Sequence, residues 1–185
     1  VLREAGTKSK IRFGKGRYKF VLHRNVLQHT VEPRPRPEHK RVFASLTNSK
    51  EETFQAVTAE MLRRDPEKRK IWVFISDGER ALAKLAEKKI QPWQPGLFII
   101  LDLYHVMEHL WTAAYAFHAE GSAEAAAWVT KYLRMILTGK TSQAARGMSQ
   151  SATKQGLSKT KRKIVKQASR YFLKRKRYMR YNEYL

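Results

Sequence analysis

Apolar side chains recur along this chain with two different periods, and the switch between them marks out its elements. Phe54, Val57, Met61 and Leu62 fall on one face at helical spacing. Asn48-Ser49-Lys50-Glu51-Glu52 places a capping residue and then acids at the start of that stretch, and Asp65-Pro66 stops it. Ile71–Ile75 and Leu97–Leu101 are continuous apolar runs rich in strand formers, the pattern of strands buried on both faces. Between them residues 79–89 are strongly helix-forming, and Pro92 and Pro95 mark the return loop. Strand, helix and strand joined by short loops predict a βαβ unit, with parallel strands and a right-handed crossover.

Beyond residue 101 the period is helical. Val106, Leu110, Ala114 and Phe117 form one stripe, with Trp111 beside it and Gly121 at its end. Trp128, Val129, Tyr132, Leu133, Ile136 and Leu137 form another, ended by Gly139. A third helix runs from about Ser158 to Tyr171, with Ile164, Val165, Ala168, Tyr171 and Phe172 inward. Upstream, Tyr18–His23 and Val26–Val31 flank Arg24-Asn25 as a short hairpin would. Pro33-Arg-Pro-Arg-Pro37 reads as an extended linker, and Arg41–Leu46 as a further strand. The expected class is therefore α/β in the middle with an all-helical C-terminal part, in a chain whose 185 residues suit one ordinary core.

Charge changes this picture, because it is unevenly placed. The net charge of +22 is concentrated in two flanks, residues 1–45 and 126–185, and the last 60 residues carry 16 Lys and Arg against one acid. All three Asp residues, Asp65, Asp77 and Asp102, lie in the near-neutral centre. Basic flanks around an Asp-bearing middle point to a polyanionic partner, most often nucleic acid. Zero Cys excludes disulfide scaffolds, thiolate metal sites and cysteine nucleophiles. No apolar run exceeds five residues, against about 18 for a membrane span, so no membrane role is expected. With neither an initiator Met nor a signal-peptide core at its start, the chain reads as a cytoplasmic fragment of a longer protein.

Asp77 stands at the carboxyl end of the first apolar run, followed by Gly78, and Asp102 stands at the same place after the second. That edge of an open α/β sheet is where ligands gather, and a carboxylate there can hold a divalent cation. Each Asp could equally cap the helix that follows, and His105 could share a metal, a phosphate or a proton with Asp102 or simply be satisfied by it. On the outward face of the last helix lie Lys159, Lys161, Arg162, Lys163, Lys166 and Arg170. The following Lys174, Arg175, Lys176 and Arg177 are interleaved with Tyr and Phe; the cations suit phosphate contact, and the aromatics suit either base stacking or core packing.

Ile75-Ser-Asp-Gly-Glu-Arg80, then Phe98-Ile-Ile-Leu-Asp-Leu-Tyr-His-Val-Met-Glu-His-Leu-Trp111 running into Phe117-His-Ala-Glu-Gly121, resembles bacterial insertion-sequence transposases of the ISKra type. Ser151–Ser158 and Arg177–Leu185 agree with the same family, and the likeness covers roughly residues 39–185. The resemblance implies part of a ribonuclease-H-like core over 39–120, after a basic segment and linker at 1–38. A basic helical insertion then occupies 121–185. It further implies an Asp-Asp-Glu triad binding Mg²⁺ or Mn²⁺, cleavage and transfer of DNA strands, self-association in a transposition complex, and a place at the bacterial nucleoid. Asp77 matches the second acid of the triad, and Asp102 and His105 match an Asp-x-x-His whose role is accessory or structural. The first Asp and final Glu of the family have no counterpart in this sequence. A non-catalytic nucleic-acid-binding module and a nuclease on the same core are the alternatives.

Overall fold

The computed structural model describes residues 38–183. The hairpin expected at 18–31 and the Pro-Arg linker lie outside the described residues. The chain divides into two units, Val1–Val42 and Phe43–Leu185, and the second carries every helix and strand described here. Its elements in order are α1 (Lys50–Arg64), β1 (Val73–Ser76), α2 (Arg80–Lys89), β2 (Phe98–Leu101), α3 (Leu103–Ala114), α4 (Ala123–Leu137), α5 (Thr141–Lys154) and α6 (Lys159–Arg175). Short 3-10 turns follow at Lys176–Tyr178 and Tyr181–Glu183. The unit is mostly helical, with one small parallel sheet, and is α/β in general.

α1 begins where its sequence says it should. The Ser49 hydroxyl accepts from the Glu52 amide and the Glu52 carboxylate accepts from the Ser49 amide, a reciprocal box that satisfies two donors the helix leaves open. Acids in the first turn and Arg63 and Arg64 in the last complement the helix dipole. At the far end the buried Asp65 carboxylate gathers three donors, the Arg69 amide at 2.9 Å, the Lys70 amide at 3.0 Å and the Trp72 indole at 2.8 Å. This turn delivers Trp72 to the core and sets the start of β1.

β1 and β2 pair in parallel, with Val73 opposite Phe98 and Ser76 opposite Leu101. Phe54, Trp72, Ala86, Ile90 and Leu97 form a cluster beneath them, and Phe54 and Phe74 meet with ring centroids 5.5 Å apart. The two-sided burial expected of 71–75 is not found. Ile71, Val73 and Ile75 are 75%, 45% and 62% exposed, whereas Trp72 is buried. The sheet has two strands among the described residues and this cluster packs the Trp72 and Phe74 side, so alternation sends every second residue to water. Nor do residues 41–46 form a strand: Val42 and Leu46 are exposed and no partner strand is paired with them among the described residues.

α3 packs on α4 and α6, and α5 packs on α4 and α6. Their shared core holds Val106, Leu110, Ile136, Met148, Val165 and Phe172, each essentially inaccessible. α3 ends at Ala114 rather than near Gly121, because a turn at 115–122 intervenes before Ser122 caps α4. α5 has no counterpart in the hydrophobic pattern: its buried face is Thr141, Ala144, Ala145, Met148 and Ala152, small residues that give little apolar signal.

The Asp65 turn makes a testable contribution to stability. Burial alone would raise this carboxyl, but the Trp72 indole and the Lys70 and Arg69 amides hold it below its ordinary value of 3.8. A carboxyl depressed in the folded state stabilises the fold above its unfolded value, and that stability is lost as pH falls through and below 3.8. Urea midpoints measured from pH 7 to pH 2 should therefore drop more steeply for the parent chain than for Asp65→Asn. Parallel acid limbs would show that the turn does not carry this linkage.

Candidate functional site

The two carboxylates singled out in the sequence lie at one edge of the sheet. Ser76 and Leu101 are paired, so Asp77 and Asp102 each stand one residue beyond the last register pair. The Asp102 amide donates to the Ser76 carbonyl at 2.7 Å, which ties the two strand ends together. Asp77 Oδ1 accepts from the Glu79 amide at 2.8 Å, turning the chain into α2, whose N-cap Glu79 makes no side-chain cap itself. Asp102 is the N-cap of α3: Oδ1 accepts from the Tyr104 amide at 3.0 Å, and Oδ2 lies 3.1 Å from His105 Nδ1. His105 and Asp102 therefore form a pair across the first turn of α3.

The C-terminal segment closes over this edge from the other side. Tyr171 donates its hydroxyl to the Asp77 carbonyl at 2.9 Å, Arg175 Nε donates to the Gly78 carbonyl at 2.8 Å, and Tyr181 donates to the Leu101 carbonyl at 2.7 Å. His109 lies against Tyr171 with ring centroids 3.7 Å apart, and the Arg175 guanidinium lies 4.0 Å from the centre of the same ring. Burial, then the Arg175 guanidinium and the neighbouring His105, hold the His109 imidazole below its ordinary value. Burial pushes the Tyr171 hydroxyl up; Arg175 opposes that rise, while Asp77, Glu108 and Asp102 reinforce it. Burial, with Tyr171 and Asp102, likewise pushes Tyr181 up. Both phenols therefore keep their protons and remain donors to the strand ends at neutral pH.

Gly78 is what lets this closure approach. It has φ +87°, and a Cβ there would lie 2.6 Å from Leu101 Cδ1, 2.7 Å from Arg175 Nε and 2.8 Å from the Tyr171 hydroxyl. Gly78 is at the site by its place next to Asp77, whereas Tyr171, Arg175, Tyr181 and His109 are site residues that residue order alone does not bring here. The aromatic and cationic interleaving of 171–181 is the available signal, and by itself it points to phosphate contact and core packing.

The remaining basic candidates divide. Arg175 is held by Gly78 and Tyr171, and Arg177 pairs with Glu87 at 2.8 Å while Tyr178 donates to the same carboxylate. Lys159, Lys161, Arg162, Lys163, Lys166, Arg170, Lys174 and Lys176 are exposed. Among the described residues no group of three or more His, Asp or Glu side chains is placed to hold a metal ion. Asp77 and Asp102 supply two carboxylates, both already engaged by helix-start amides, so these residues do not by themselves fit a two-metal centre. No helix among the described residues is long and apolar enough to cross a membrane.

No family model, curated protein or solved structure matches this chain.

Proposed function

We propose that this chain is part of the ribonuclease-H-like core of a DNA transposase, and that it contributes DNA binding and one acidic position of the strand-transfer site. The observation that carries the proposal is the pair of adjacent parallel strands, joined through α2, that end in register at Asp77 and Asp102. Carboxylates at the carboxyl ends of neighbouring strands are where phosphodiester chemistry on an α/β sheet draws its acids. The resemblance around 75–80 and 98–121 falls on these same residues. The strongly basic helices beside them suit a phosphate backbone, and assembly with further copies at the element ends belongs to the same reading. Divalent-metal chemistry would need acids beyond the described residues, and no reaction step is assigned to Asp77 and Asp102 alone.

A non-catalytic DNA-binding module is the second reading, favoured by the capping role of Asp102 and the amide held by Asp77. The two readings separate on one substitution. In the full-length protein, Asp77→Asn should reduce cleavage of element-end DNA by roughly 10³-fold or more and leave duplex affinity unchanged. A protein that never cleaves, with Asp77→Asn shifting nothing, would leave only the binding module. Reading the coding DNA on both sides supplies the complementary check: an in-frame Asp-bearing strand upstream and a Glu-bearing helix downstream are expected.

A further inference from the structure

α5 and α6 line a groove of about 810 Å³. Five cations line it from α6, namely Lys159, Arg162, Lys163, Lys166 and Arg170. Their spacing of three, one, three and four residues puts all five on one helical face. The buried face of the same helix, Val165, Ala168, Ser169 and Phe172, is turned elsewhere, so the stripe does not serve the core. From α5 the wall is short and polar or small, with Ser149, Ala152 and Thr153, and Thr160 adds a hydroxyl from α6. Among the described residues no acid lines the groove, and none of the five cations is ion-paired. Like charges three and four residues apart weaken a helix by a few tenths of a kcal/mol per pair, so this stripe opposes folding of the free chain.

We infer that this groove is a binding site for the phosphate backbone of duplex DNA, distinct from the closure that α6 makes over the strand ends. The inference rests on the DNA reading above and narrows it to one face of one helix. Three observations select the ligand. The charge is unbalanced and linear, and the stripe spans about 16 Å, the rise of about five base pairs. The lining holds no aromatic side chain, whereas sequence-tolerant single-strand sites stack bases on aromatic rings. The aromatics of α6 are already used, Tyr171 against His109 and Phe172 in the core. The groove therefore contacts phosphates and offers no platform for exposed bases. α6 divides along its length: the five cations between its start and Arg170 face the groove, and Tyr171 and Arg175 hold Asp77 and Gly78.

The test compares two charge-matched double variants of the full chain by fluorescence anisotropy on a random-sequence 20-base-pair duplex and the corresponding single strand. Lys163→Ala/Lys166→Ala removes two groove cations. Lys161→Ala/Lys176→Ala removes two exposed cations that do not line the groove. The groove variant should bind duplex at least about tenfold more weakly at 100 mM salt, with a salt slope about 1.8 shallower; the other variant should shift much less. All four positions are exposed, so thermal melts should show both variants folded. Equal losses in the two variants would overturn the groove and leave diffuse DNA binding standing. Tighter binding of the single strand would overturn the duplex assignment. Failure of the parent chain to bind any DNA at low salt would overturn the DNA reading together with it.

Discussion

Binding of random-sequence duplex to the full chain should weaken by about 500-fold or more when salt is raised from 50 to 200 mM. If each of the five groove cations neutralises one phosphate, the slope of log affinity against log salt is about −4.5, at about −0.9 per phosphate. Cations elsewhere, including those of residues 1–45, can only steepen it. The magnitude follows from where the acids are missing. Glu183 is the one carboxylate side chain among residues 126–185, and Arg180 lies 3.3 Å from it. Among the described residues no carboxylate is paired with the groove-lining cations of α6, so mobile ions screen that face before DNA arrives. The same residues predict an opposite response from the free chain, whose thermal midpoint should rise with salt as repulsion along α6 is screened. A slope shallower than about −1, or affinity that persists at several hundred millimolar salt, would show that binding is not electrostatic and that the basic helix is not its seat.

Much of this architecture can be read from residue order, and the failures have physical causes. Ser49 and Glu52 announce α1 because a capping box is local, and the βαβ unit is visible because each of its elements has its own composition. Asp77 and Asp102 fall at strand ends because strands and helices alternate there in a short span. What pattern does not reveal is coverage. A five-residue apolar run looks the same whether one face or two are packed, and Ile71, Val73 and Ile75 are on the open side. α5 escapes notice because alanines at a close helix contact carry little hydrophobic signal. The closure over the strand ends is the least accessible of all. Tyr171, Arg175 and Tyr181 reach carbonyls 94, 97 and 80 residues away, and a backbone carbonyl leaves no mark in a sequence. Much of the interleaved segment that suggested phosphate contact is spent on these intramolecular bonds, which shifts the DNA-facing role to the stretch of α6 before Tyr171.

Gly78→Ala should destabilise the fold by about 2–5 kcal/mol in urea unfolding. Two terms add. An alanine at φ +87° carries the left-handed penalty of about 1–2 kcal/mol. Its Cβ also meets Leu101, Arg175 and Tyr171 at 2.6–2.8 Å, and overpacking of a closed contact costs about 1–3 kcal/mol. Gly121 separates the two. It has φ +77° and nothing within 4 Å of the place its methyl would take, so Gly121→Ala should show the conformational term alone. Tyr171→Phe removes only the hydroxyl that donates to Asp77 and should cost about 1 kcal/mol. If the Gly78 methyl acts by pushing Tyr171 and Arg175 off the strand ends, the hydroxyl bond is already broken in that variant. Gly78→Ala/Tyr171→Phe should then be less destabilised than the sum of its parts. Equal losses for Gly78→Ala and Gly121→Ala, or strict additivity in the double variant, would mean that α6 does not bear on Asp77 and that the closure is incidental to the site.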